Sequence, residues 1–79
     1  MLDAQMLSAF RQAGAIAASD DIKDGLTYDQ EYIYEQAEAI AAAYGKDEYL
    51  SANMVRDLAS EWLSGYVDGF ASELQWHAD

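Results

Sequence analysis

The sequence predicts an all-α fold, a small bundle of three main helices, and three observations carry that expectation. The chain has no proline and few β-branched residues among many alanines, a composition that favours helix over strand. Apolar residues recur every three to four positions in three separate stretches, which places them on one face of a helix. Clusters of aspartate, serine and glycine part those stretches, and such clusters form turns. At 79 residues, with no linker and no internal repeat, positions 1–79 read as a single acidic helical domain. That size lies near the lower limit for a core that folds without staples.

The first helix is expected from about Asp3 to Ala18, with Asp3 capping its start. Met6, Phe10, Ala13 and Ala17 give its inward stripe, with Leu7 and Gly14 at the edge. Ser19 to Gly25 reads as an exposed connection that carries Asp20, Asp21 and Asp24. Thr27 with Gln30 three residues later forms a capping-box pattern for a second helix, from about Tyr28 to Tyr44 with Gly45 as C-cap. Ile33, Ala37, Ile40 and Tyr44 are its inward stripe. Lys46 to Leu50 read as a turn or a short fourth helix, and Ser51 or Asn53 caps the last one, Asn53 to Trp76.

That last helix has the clearest division of faces. Val55, Leu58, Ala59, Trp62, Leu63, Tyr66, Val67, Phe70 and Leu74 share one broad apolar side. Asp57, Glu61 and Asp68 fall within about 40° of one another opposite it. Gly65 and Gly69 interrupt the helix at an edge of the apolar face, where each costs about 1 kcal/mol relative to alanine. Close approach of an alanine-rich neighbour would offset that cost. A kink or a dimer seam is the other reading. The expected core is Met6, Phe10, Ile33, Ile40, Leu58, Trp62, Tyr66 and Phe70.

Charge is the most informative bulk property. Fifteen acidic residues face four basic ones, a formal net charge of −11 at pH 7. Such a surface repels nucleic acid and anionic membrane and favours a basic protein partner, although acidity also serves solubility. There is no cysteine, so no disulfide framework and no thiolate chemistry. Neither a secretory leader nor a spanning segment is legible, which is in keeping with the cytoplasm.

Within that acidity, Glu31, Glu35 and Glu38 stand at spacings where like charges repel by a few tenths of a kcal/mol per pair, about 0.2–0.5, and no lysine relieves them. A chain shaped for stability alone would alternate the signs there. With Asp57, Glu61 and Asp68 and the connection acids Asp20, Asp21, Asp24, Asp47 and Glu48, they form candidate partner-binding rows. Carboxylates one turn apart resemble a line of phosphates to a basic groove. Tyr28 and Tyr32, and beside them Tyr34 and Tyr49, could stack on arginine planes. Tyr44 and Tyr66 read as core.

Catalytic machinery is not legible. The single histidine, His77, stands near the chain end without a nucleophile beside it, and acids exposed on helix faces lack a cleft. Neither a cofactor nor a metal is expected. The nearest approach to a metal site is Asp20 to Glu31 laid on the twelve-residue calcium loop. Asp20, Asp24, Gly25 and Glu31 fit the pattern, but Ile22 stands where an oxygen ligand belongs.

In size, charge and helical texture the whole chain resembles the small acidic helical proteins of phages, above all the anti-CRISPR proteins that occupy DNA-binding grooves. It is similar in character to phage DNA mimics that block restriction enzymes. These proteins share no residue motif, so no functional residue is carried over. The resemblance implies a stoichiometric, non-enzymatic inhibitor in the bacterial host cytoplasm, monomeric or homodimeric. Its acidic rows would meet the basic groove of a defence complex. The alternatives are a helical adaptor or antitoxin-like interaction module, and a degenerate single EF-hand-like calcium module.

Overall fold

The structure, a computed structural model, describes residues 4–25 and 29–77, and the side chains of these as far as residue 72. Asp3, Thr27 and Tyr28 lie outside the described residues, as do the side chains of Leu74, Trp76 and His77. Among the described residues there are three α-helices and no strand: α1 (Ala4–Lys23), α2 (Gln30–Glu48) and α3 (Ala52–His77). None of them is long and apolar enough to cross a membrane.

The spine of the molecule is α3, and both other helices pack on it. Arg11 opposes Gly65 and Ala15 opposes Gly69, so α1 and α3 run parallel. α2 runs back the other way. Gly45 near its end meets Val55 near the start of α3, and Ile33 near its beginning joins the cluster of Tyr66 and Phe70. α1 and α2 make no comparable backbone approach to each other. They touch through the rings of Phe10 and Tyr44, set edge to face at 5.2 Å. The result is long and thin, 44 × 23 × 15 Å.

Glycine sets the α1–α3 crossing. A Cβ on Gly14 would run into the carbonyl oxygen of Trp62, and one on Gly65 into the carbonyl oxygen of Arg11. Each glycine thus receives the other helix's backbone, a reciprocal seat that only a residue without a side chain can provide. Gly69 lies against Ala15 in the same seam. The glycine pair of α3 is therefore an internal packing device, and its seam is occupied by α1.

Ala18, Ile33, Ala37, Ala41, Leu58, Trp62, Tyr66 and Phe70 make up the buried apolar core. Trp62, Tyr66 and Phe70 stack in sequence along α3, with centroids 5.4 and 6.0 Å apart. Five of the eight expected core residues are thus buried, and Phe10 packs partly buried against them. Met6 is half-buried. Ile40 is not core: it is 39% exposed. The inward stripe of α2 is Ile33, Ala37, Ala41 and Gly45, which rotates Ile40 towards solvent. In α1 the buried positions are Gly14 and Ala18, and the expected Ala13 is exposed.

Two helix ends differ from expectation for the same reason, that packing overrides local preference. α1 continues through Ser19, Asp20 and Asp21 to Lys23. Ala18 and Ile22 continue the face of Gly14 at four-residue steps, and Ile22 packs against the core. The helix closes with a bond from the Gly25 N–H to the Ile22 carbonyl, Gly25 having φ 80°. α2 passes through Gly45 and ends on Tyr49, whose φ of 57° is left-handed and whose N–H reaches the Gly45 carbonyl. Lys46 to Glu48 are thus its last turn and not a fourth helix.

The start of α2 is capped by Asp29. An Asp29 carboxylate oxygen accepts from the N–H groups of Glu31 at 3.1 Å and Tyr32 at 3.3 Å. At α3 the cap is Ser51, whose Oγ accepts from the Met54 N–H at 3.3 Å.

Candidate interaction surfaces

The acidic row of α2 is formed as its spacing predicts. Glu31, Glu35 and Glu38 are all exposed on one side of the helix, and no basic side chain pairs with them among the described residues. Glu31 lies in the first turn, where the helix dipole favours an anion. Glu35 and Glu38 lack that help. Tyr32 and Tyr34 emerge beside the row, 47% and 48% exposed.

The row on α3 is broken at its centre. Asp57 and Asp68 are exposed, but Glu61 is half-buried and pairs with Arg11 of α1, Nε to Oε2 at 3.5 Å. Arg11 is more than half exposed, so the pair adds at most about 0.5 kcal/mol. Its larger consequence is that one carboxylate of the row is already answered from within the molecule.

The two rows do not merge. Glu61 faces α1, which fixes the α3 row along the α1 border. Glu38 lies instead on the rim of a groove between α2 and α3, together with Arg56. Asn53, Ser60, Ser64 and Val67 take up the surface of α3 between the two borders. The acids form two strips on opposite flanks of the spine.

The remaining candidates gather at helix ends. Asp20 and Asp24 are exposed at the C-terminal end of α1, and Asp47 and Glu48 in the last turn of α2. Carboxylates there oppose the helix dipole, and each last turn has a single lysine, Lys23 or Lys46, to offset them. Asp21 behaves differently. The Tyr66 hydroxyl donates to its Oδ2 at 2.5 Å, so the half-buried carboxylate satisfies the polar tip of a core tyrosine. Part of its hydrogen-bonding capacity is thus already used within the molecule.

Asp20 to Lys23 are helical, so the first four positions of the expected calcium loop belong to α1. Among the described residues no group of three or more His, Asp or Glu side chains is placed to hold a metal ion.

One feature was not singled out by the spacing of residues. Val55, Ala59 and Leu63, on the apolar face of α3, are only half-buried and form the floor of a groove with Ala37. Tyr34 and Glu38 of α2 form one wall of this groove of about 480 Å³. Tyr34 also lines a second, shallow depression together with Gln30, Glu31 and Glu35. The breadth of the α3 apolar face was the available signal, since one alanine-rich helix cannot cover all of it.

No protein-family model matches the chain, and neither a curated protein nor a solved structure is detectably similar to it.

Proposed function

We propose that this protein is a non-enzymatic inhibitor that presents acidic, nucleic-acid-like strips to the basic groove of a nucleic-acid-binding complex. On this reading it works in the bacterial cytoplasm as a small helical bundle of the anti-CRISPR type. The observation that carries the proposal is the α2 strip: Glu31, Glu35 and Glu38 exposed, mutually repelling and unpaired among the described residues. A rigid helix can hold carboxylates at about 5–6 Å intervals without offering bases to read. Asp57 and Asp68 add a second, weaker strip, and Asp20, Asp24, Asp47 and Glu48 extend the negative field to both ends.

Competition tests the proposal. A basic protein captured on the immobilised chain should be released by duplex DNA, and the Glu31→Lys/Glu35→Lys/Glu38→Lys variant should fail to capture it. Capture that DNA leaves untouched would contradict a shared groove.

A second reading, a helical adaptor held by apolar contact, is favoured by the groove between α2 and α3 and by the exposed Tyr32, Tyr34 and Tyr49. It differs in predicting binding that salt barely weakens and that substitutions of these tyrosines abolish.

A further inference from the structure

We infer that the groove between α2 and α3 seats an apolar anchor of a partner segment whose flanking residues are arginine or lysine. The inference rests on the acidic-strip reading and gives that strip a fixed point of contact. Its basis is that two concavities share one lining residue, Tyr34. The groove has an apolar floor of Ala37, Val55, Ala59 and Leu63. The shallow depression is walled by Glu31 and Glu35. Tyr34 itself is about half exposed and belongs to both.

An aliphatic side chain on the floor would place the next residues of its segment over the Tyr34 ring and the glutamates. A guanidinium suits that position twice over, since it stacks on a tyrosine face and pairs with a carboxylate. Arg56 on the α3 rim repels a cation, so the basic residues of the segment lie towards α2. A second copy of this chain is a poor occupant, because it would bring its own acids against Glu31, Glu35 and Glu38. An anionic lipid surface is disfavoured by the same repulsion.

The test is an NMR titration of the full chain, with backbone amides followed as a synthetic leucine–arginine peptide is added. Three peptides are compared: the parent, one with its leucines replaced by alanine, and one with its arginines replaced by glutamate. Saturable shifts are expected at Ala37, Ala59 and Leu63, with affinity about tenfold lower for either altered peptide. Filling the groove with Ala42→Trp, at an exposed position on its α2 side, should produce a similar loss. Equal binding of the alanine peptide, or shifts spread over Asp57 and Asp68, would overturn the groove assignment. The peptide comparison does not depend on whether Ala42→Trp folds. Loss of leucine dependence with arginine dependence kept would remove the groove and leave the acidic strip. Loss of arginine dependence would remove both.

Discussion

Gly14 and Gly65 occupy positions where a single methyl group would meet the backbone of the other helix, and backbone cannot step aside as a flexible side chain can. Alanine in a helix interior gains about 1 kcal/mol over glycine from propensity alone. Here the steric term wins, because forcing α1 and α3 apart loosens the stack of Trp62, Tyr66 and Phe70. Gly14→Ala and Gly65→Ala should each destabilise the fold by about 2 kcal/mol, a fall in Tm of about 10 °C, measurable by thermal circular dichroism. A rise in Tm would show that the helices do not meet there. Tyr66→Phe removes the donor that Asp21 accepts from. The expected loss is about 1 kcal/mol, and Asp21→Asn, which keeps an acceptor, should cost less. At this scale the sequence was legible for most large side chains and for Ala37, Gly65 and Gly69, and less so for the other small residues. Ile33, Leu58, Trp62, Tyr66 and Phe70 declared themselves by bulk and spacing. Gly14, Ala41 and Gly45 did not, since the absence of a side chain matters only once a neighbouring backbone is known.

The helices themselves were legible as three periodic stretches, and their ends less so. Turn-forming residues at Ser19 to Asp21 argued for an early stop, yet Ile22 has a core to join and Asp21 a tyrosine to bond. Gly45 argued for a cap, yet its smallness admits Val55 and the helix passes through it. The end of α2 falls on Tyr49, which is 96% exposed and left-handed, a conformation that costs a residue with a Cβ about 1 kcal/mol. Tyr49→Gly should therefore stabilise the protein by about 0.5–1 kcal/mol in chemical denaturation. If the same change weakens partner capture, the strained tip is a contact, because among the described residues nothing covers its ring. Unchanged capture would assign Tyr49 to the cap alone. The acidic row of α2 was fully readable from spacing, because exposure of one face follows directly from burial of the other.

For the molecule as a whole, a net charge of −11 on a body 15 Å thick means that carboxylates on different helices repel through little protein. Stability should rise with added salt, since screening weakens that self-repulsion while leaving apolar burial intact. Sodium chloride at about 0.5 M should raise Tm by several degrees over low-salt buffer, and a flat response would mean that the strips are locally compensated. Whether the strips join was not legible in the sequence. Helical spacing fixes angles within a helix but not how one helix is turned against the next. Arg11 settles this for α3 by holding Glu61 on the α1 side, while Glu38 and Arg56 mark the opposite border.

The most direct test of the proposed role is the salt dependence of partner binding. The immobilised chain is exposed to a bacterial lysate at about 50 mM salt, and retained protein is quantified as salt rises to about 500 mM. Steep release is expected from the wild-type chain, with little captured at any salt by the Glu31→Lys/Glu35→Lys/Glu38→Lys variant of unchanged helicity. A partner retained equally at both salt concentrations, and equally by the reversed variant, would contradict an acidic strip as the binding surface.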